Sequence, residues 1–201
     1  MRPVTQANMK KVLAFTTLLT LSALSQAASF TFEPADKDLY DLDHYDAVSW
    51  GIALNIPSDQ RITNATLEIK NIYDWTQENN DILQIRLLDS APLGVKTYYD
   101  NQATGDYFGN RGVAVGTWTD PIGGKARGVN LKFDFAQLGL VDDLTNYVKN
   151  DGKFALTFDP DCHYFNDGVK FTVHTEAVPE PATMSVLGLS ALVGLRKKLK
   201  K

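Results

Sequence analysis

The sequence predicts an all-β protein, an antiparallel β-sandwich of jelly-roll type. Short runs of apolar and β-branched residues recur along the middle of the chain, and polar segments rich in Gly, Asn and Asp separate them. Only one segment of this central part has apolar residues at helical spacing. Many short strands with little helix favour two packed antiparallel sheets.

Each predicted strand combines apolar residues with a turn signal on either side. Alternation is strict over residues 129–135, where Val129, Leu131, Phe133 and Phe135 alternate with polar neighbours. A period of two directs one set of side chains into a core and the other into water. The one predicted helix spans residues 140–149. The predicted strands are residues 29–33, 48–56, 66–73, 82–88, 113–119, 129–135, 154–158 and 169–175.

Charge is strongly segregated along the 201 residues, although the net charge is only −4. No Asp or Glu occurs in residues 1–27 or 184–201, and these ends carry eight of the 20 Lys and Arg residues. The segment between them holds all 24 acidic residues. An acidic body repels phosphates, so nucleic acid is excluded as a partner. The single Cys excludes an internal disulfide framework.

The N-terminus has the pattern of a secretory signal peptide. Lys10 and Lys11 precede an apolar run over residues 12–24, and the small residues after it suit cleavage between Ala27 and Ala28. We therefore predict a signal helix within residues 1–27 and signal peptidase as a partner. An uncleaved membrane anchor is the alternative, for which the apolar run is short.

The C-terminus combines a proline motif, an apolar run and a basic cluster. Val178, Pro179, Glu180 and Pro181 form the motif, because two prolines keep the chain extended and accessible. Residues 184–195 then predict a short hydrophobic helix of about 18 Å, less than the ~30 Å of a hydrocarbon core. The basic residues 196–201 would stay on the cytoplasmic side. This segment predicts transient association with the inner membrane.

The three-part tail, residues 178–201, resembles the PEP-CTERM sorting signal of Gram-negative bacteria. The resemblance implies processing near Pro179–Pro181 by exosortase, a membrane enzyme, and export to the outer surface or the extracellular biofilm matrix. An ordinary tail anchor is the alternative. The predicted organisation is thus a signal peptide at 1–27, a β-sandwich at 28–177 and a sorting signal at 178–201.

The densest group of potential metal ligands lies between two predicted strands. Asp159, Asp161, Asn166 and Asp167 lie within nine residues, and Ca²⁺ takes six to eight oxygen ligands. Asp43 and Asp74 belong to two further acidic segments, which we expect to meet the first at one end of the sandwich. Calcium is the predicted cofactor. The alternative is an ordinary turn in which these side chains accept hydrogen bonds from main-chain N–H groups.

Exposed aromatic residues are the predicted contacts for a sugar. Trp75 lies in a polar run and Tyr107 in a polar loop, whereas Trp50 and Trp118 fall within apolar strands and are expected in the core. Acidic loops, strands and such aromatics give the body a looser resemblance to calcium-containing, carbohydrate-binding-module-like sandwiches. That resemblance implies binding of a polysaccharide.

Three functions are compatible with these patterns. We favour an exported, non-enzymatic surface or matrix protein that binds exopolysaccharide through calcium-stabilised loops. A secreted polysaccharide hydrolase using loop carboxylates and a structural or adhesive protein without glycan binding are the alternatives. No catalytic residue is assigned, because G-x-S-x-G, H-E-x-x-H and phosphate-binding glycine motifs are all missing from the sequence.

Overall fold

The computed structural model describes residues 27–75, 82–101, 105–120 and 122–178. These residues form ten strands and two α-helices, α1 at Phe135–Leu138 and α2 at Val141–Asp151. A short 3₁₀ turn lies at Lys125–Arg127. The strands are β1 Ala28–Phe32, β2 Asp46–Ala53, β3 Gln60–Asp74, β4 Leu83–Asp89, β5 Gly94–Tyr99, β6 Val113–Trp118, β7 Val129–Asp134, β8 Lys153–Pro160, β9 Tyr164–Phe165 and β10 Gly168–Ala177.

The strands form two antiparallel sheets. The first has the order β1-β10-β3-β7, with β9 paired to the end of β3, and the second has the order β5-β2-β8-β4-β6. Side chains of both sheets share one core, in which the rings of Phe154 on β8 and Phe171 on β10 lie 5.6 Å apart. The predicted all-β antiparallel sandwich is confirmed. Its jelly-roll type stays a prediction.

The inner and outer faces of the second sheet follow from strict alternation along β8. Phe154, Leu156 and Phe158 enter the main core, whereas Ala155, Thr157 and Asp159 point to the outer face. The outer face is also buried, because the connection between β5 and β6 crosses over it. Burial on both faces explains why residues 154–160 are buried without interruption.

The crossing connection is fastened by one arginine and one aromatic residue. Arg86 on β4 donates from Nη1 to Asp106 Oδ2 at 2.8 Å and from Nε to the carbonyl oxygen of Arg111 at 2.8 Å. Phe108 is 1% exposed and packs with Ala47, Leu88 and Ala155 in a second, smaller apolar cluster. These contacts hold residues 106–111 of the connection against the sheet.

The two ends of the sandwich differ in composition. The loops that follow β1, β3, β5, β6 and β8 lie at one end of the sandwich. We call it the "acidic end", because these loops carry most of the Asp residues. The "tail end" holds both helices and the end of β10, where Val178 N donates to the Asp59 carbonyl oxygen at 2.6 Å. Val178, the last described residue, thus lies at the end opposite to the acidic loops.

Candidate functional site

Asp74 and Asp120 hold main-chain groups together at the acidic end. Asp120 Oδ2 accepts from Asp74 N at 2.8 Å, and its Oδ1 accepts from Ile122 N and Gly123 N at 3.0 and 3.1 Å. Burial opposes the ionised form of Asp120, but these three N–H groups prevail and lower the pKa of its carboxyl group. Asp74 is fully buried, accepts from Trp75 N at 2.5 Å, and accepts from Cys162 Sγ at 3.2 Å.

Asp159 occupies a position that the sequence did not predict. The predicted loop after residue 158 is wrong at this point, because β8 continues to Pro160 and pairs Asp159 with Gln84. The Asp159 side chain is 1% exposed beneath the crossing connection, where Oδ2 accepts from Tyr107 N at 2.6 Å. A proline is tolerated at the last position of this strand because the ladder ends there.

Burial and neighbouring carboxylates act together on Asp159. Loss of water around the carboxyl group, aided by the charges of Asp100, Asp161 and Asp106 and opposed by the hydrogen bond from Tyr107 N, raises its pKa to about 7. Burial and the charges of Asp100 and Asp106 likewise raise the pKa of Asp161. Oδ1 of Asp159 and Oδ1 of Asp161 are both buried and have no hydrogen-bond partner within the described residues.

The other predicted metal ligands serve turns or lie apart. Asp43 Oδ1 accepts from Tyr45 N at 3.1 Å, which is an Asx turn. Asn166 bridges two loops, since Nδ2 donates to the Asp38 carbonyl oxygen at 2.7 Å and Oδ1 accepts from Gly168 N at 2.9 Å. Asp167 is exposed, and its main-chain N donates to the Lys70 carbonyl oxygen. These contacts match the turn alternative.

The expectation that two of the three acidic segments, which carry Asp43, Asp74 and Asp159, share one ion finds no support in the geometry of the described residues. Across residues 27–75, 82–101, 105–120 and 122–178, no three Asp, Glu, His or Cys side chains are arranged to hold a metal ion. Two of the three carboxylates already accept hydrogen bonds from the residue one or two positions ahead. The predicted donor set therefore fits a calcium ion poorly, and only Asp159 and Asp161 retain buried, unpartnered oxygens.

Exposed aromatic side chains concentrate at the acidic end. Trp75 is 66% exposed, as the sequence predicted, and Tyr107 is 40% exposed, while Trp50 is buried in the core. Sequence reasoning also considered Tyr99 as a stacking residue but missed Tyr40 and Tyr45, because turn positions have no apolar alternation that marks them. The exposed aromatic residues of the described chain are Tyr40, Tyr45, Trp75, Tyr99 and Tyr107.

Two buried leucines anchor the first aromatic loop. Leu39 and Leu42 are fully buried, whereas Tyr40 between them is 65% exposed. All residues from Leu39 to Leu42 have positive φ, between 38° and 62°, a conformation that costs non-glycine residues energy. Burial of the two leucines compensates for this strain and fixes Tyr40 outward.

The predicted processing sites lie at the two ends of the described sandwich. Ala28 is the first residue of β1 and pairs with Thr175, and Ala27 precedes it, so cleavage between them would leave β1 complete. Val178 is the last described residue. Pro179, Glu180 and Pro181, the predicted signal helix and the predicted C-terminal helix lie outside the described residues. In the part of the chain that the structure describes, no helix has the length and apolarity needed to cross a membrane.

Comparison with known proteins identifies the tail. Residues 177–198 match the family model of the PEP-CTERM protein-sorting motif. A sorting signal at the C-terminus of a chain is the mark of an exported protein that is processed there. The chain therefore carries a PEP-CTERM sorting signal, which implies export, transient tethering to the membrane, and processing by signal peptidase and exosortase.

The sandwich has distant structural counterparts. A solved structure of latent aurone synthase, a polyphenol oxidase co-crystallised with hexatungstotellurate(VI) and soaked in H₂O₂, is similar at a TM-score of 0.35 and 15% sequence identity. The alignment covers 77% of this chain and 25% of that chain, so this chain spans about a quarter of its length. No curated protein matches the sequence significantly.

Proposed function

We propose that the protein is a non-enzymatic cell-surface or biofilm-matrix protein of a Gram-negative bacterium that binds exopolysaccharide. The supporting observation is the position of the five exposed aromatic residues, all at the acidic end. Tyrosine and tryptophan combine an apolar face with a polar edge, which suits the C–H face and hydroxyl groups of a sugar ring. Val178, the first residue of the tail, lies at the opposite end of the sandwich, which supports access of a polymer to these aromatic residues in the tethered precursor.

The burial of Asp159 supports binding of the polymer rather than its hydrolysis. A glycosidase needs two carboxyl groups on either side of the scissile bond, one of them protonated near neutral pH. Asp159 has a suitable pKa of about 7, but its side chain is 1% exposed and its Oδ2 holds Tyr107 N. Substrate would reach Asp159 only if the crossing connection left the sheet.

The calcium proposal now involves fewer ligands than the sequence predicted. Burial raises the pKa values of Asp41, Asp46, Asp100, Asp159 and Asp161, and a hydrogen bond with Asp38 is the main cause of the raised pKa of Asp36. Repulsion from neighbouring carboxylates adds to the shift in each of them except Asp100. A cation near the unpartnered oxygens of Asp159 and Asp161 would relieve that repulsion. The proposal keeps Asp159 and Asp161, because each has one buried oxygen without a hydrogen-bond partner within the described residues. It leaves out Asp43, Asp74 and Asn166, whose oxygens accept main-chain hydrogen bonds and are not among those unpartnered atoms.

Binding to exopolysaccharide extracted from the native host tests the proposal. We expect the mature sandwich to co-sediment with the polymer, and the Trp75→Ala/Tyr99→Ala double variant to bind about tenfold more weakly. Leu138→Ala is the matched control, because Leu138 is an exposed apolar residue at the tail end. Absence of polymer binding by the unmodified protein would favour an adhesive role, and release of reducing sugar would establish a hydrolase.

A further inference from the structure

A cleft of about 480 Å³ lies on the outer face of the second sheet. Its floor includes Ser49 on β2, and its walls include Tyr98, Phe108, Arg111 and Tyr147. The volume falls within the range of pockets that bind small molecules. The cleft lies between the crossing connection, the β4–β5 turn and helix α2, so three separate chain segments enclose it.

Small residues keep the floor of the cleft low. Ala47, Ser49 and Gly51 follow one another at every second position of β2, on the outer face. A side chain at Gly51 is excluded, because a Cβ there would lie 2.0 Å from the Pro92 carbonyl oxygen. Phe108 packs onto Ala47 and Ala155 of this face, and Tyr98 and Tyr147 line the cleft beside it.

Two hydroxyl groups beneath the walls lack hydrogen-bond partners. Ser49 is 2% exposed and Thr157 is fully buried, and the two residues are paired across β2 and β8. Neither Ser49 Oγ nor Thr157 Oγ1 makes a hydrogen bond to any described residue. Leaving a buried hydroxyl unpaired costs about 1–3 kcal/mol. Since Ser49 lines the cleft, a polar ligand there would supply the missing partner.

The walls combine aromatic rings with a positioned guanidinium group. The rings of Tyr98 and Phe108 lie 5.8 Å apart at nearly a right angle. The Arg111 guanidinium carbon lies 4.7 Å from the centroid of the Phe108 ring, a cation–π distance that fixes this side chain over the wall. Apolar faces, a buried hydroxyl and a multiple N–H donor together match the surface of a sugar ring.

The cleft continues into the aromatic surface of the acidic end. The Tyr107 ring lies 5.7 Å from Tyr98, which lines the cleft, and 5.6 Å from the Arg111 guanidinium carbon. Tyr107 is one of the two glycan-stacking residues that the sequence predicted. A sugar chain on Tyr107 would therefore reach the cleft without leaving the protein surface.

We propose that this cleft is a saccharide-binding subsite that holds one pyranose ring, with Ser49 Oγ and Arg111 as its hydrogen-bonding groups. This proposal rests on the proposed function and names its binding site. The aromatic surface at the acidic end then engages further units of the same polymer, which the short cleft does not reach.

The test uses oligosaccharides obtained from the host exopolysaccharide by partial acid hydrolysis. Calorimetry should show that they bind the mature sandwich, and that Ser49→Ala and Arg111→Gln each weaken binding about tenfold. Amide NMR shifts should change at Ser49, Ala91 and Gly112 on binding. The Trp75→Ala/Tyr99→Ala variant should bind these short fragments normally and the intact polymer weakly. Melting curves establish that each variant is folded.

The outcomes separate the cleft from the proposed function. Polymer binding that depends on Trp75 and Tyr99 but is unaffected by Ser49→Ala and Arg111→Gln would overturn the cleft and leave the proposed function in place. If the cleft holds only water, the short fragments will not bind although the intact polymer does, and this result would also overturn the cleft proposal. Failure of both the polymer and the fragments to bind would overturn the proposed function itself.

Discussion

Asp159 Oδ2 accepts a hydrogen bond from Tyr107 N at 2.6 Å, which links the end of β8 to the loop that crosses over it. The other oxygen, Oδ1, is buried without a partner among the described residues. The Asp159 carboxyl group therefore holds the crossing connection, although only one of its two oxygens is hydrogen-bonded within the described residues. Its protonation state should control how strongly the connection is held.

The stability of the sandwich should fall as the pH rises from about 4 to about 7 and then level off, because Asp159 keeps its proton only in the folded state over this range. Its pKa is raised from 3.8 in the unfolded chain to about 7, so the folded state binds the extra proton between these values. The stabilisation is complete below pH 4 and is lost by the time the pH reaches about 7, at a cost of no more than ~4 kcal/mol. In the free energy of unfolding by urea, Asp159→Asn should equal the unmodified protein below about pH 4 and exceed it by a growing margin up to about pH 7, with the full margin at pH 9.

The exposed Asp167→Asn substitution is the control for this measurement, since it removes the same charge from the surface. Identical pH profiles for the unmodified protein and Asp159→Asn would show that Asp159 does not hold a proton in the folded state. A stability maximum near pH 9 would contradict the direction of the shift.

Calcium should raise the melting temperature if Asp159 and Asp161 bind it. A ligand present at 100 times its Kd stabilises the folded state by about 2.7 kcal/mol, which corresponds to a shift of several degrees. The shift should disappear in Asp161→Asn and persist in Asp43→Asn, because Asp43 caps a turn. Equal melting temperatures in millimolar calcium and in EDTA would eliminate the calcium proposal.

Asp120→Ala should be the most destabilising carboxylate substitution at the acidic end. Asp120 accepts from three main-chain N–H groups, of Asp74, Ile122 and Gly123, and is 4% exposed. Leaving buried N–H groups unsatisfied should cost roughly 2–4 kcal/mol. Urea unfolding at pH 7 measures the loss, with Asp167→Ala as the control. A loss below 0.5 kcal/mol would mean that water replaces the carboxylate.

Truncation at the N-terminus should identify where the mature fold begins. A chain that starts at Ala28 keeps β1, in which Phe30 and Phe32 pack against the core, and should melt at the same temperature as one that starts at Ala27. A chain that starts at Glu33 loses β1 and exposes the edge of β10, so it should melt at a lower temperature. Equal melting of all three chains would show that β1 is dispensable.

The strands that the sequence predicted are those with apolar alternation. The predicted segment 169–175 lies within β10, and segment 66–73 lies within β3. Strand β5 was missed because it is an edge strand with Lys96, Thr97 and Tyr99 exposed to solvent, so no apolar face marks it. Strand β9 has two residues, which is too short for any periodicity.

Phe135 shows how a local cap overrides a strand pattern. The alternation of residues 129–135 extended the predicted strand to Phe135, yet the strand ends at Asp134 and α1 begins at Phe135. Asp134 caps this helix, since its Oδ1 accepts from Gln137 N at 3.1 Å. An Asp three residues before a Gln is a capping signal that was available in the sequence.

The candidate sites were harder to predict, because they depend on pairing between distant segments. The outward-facing position of Asp159 follows from its place in β8, and its burial follows from a connection some fifty residues earlier in the chain. Ser49 lies in a strand that the sequence predicted, but nothing local indicates that its outer face is covered. The exposure of Trp75, by contrast, followed from its polar neighbours alone.

Mass spectrometry of the protein from fractions of its native host tests the central claim, that a sandwich is exported and trimmed at both ends. We expect a secreted or surface form that begins at Ala28 and ends near the Pro179–Pro181 motif, and its longer, tail-bearing precursor in the inner-membrane fraction. Recovery of the uncut polypeptide from the cytosol, with no trimmed form outside, would contradict the claim.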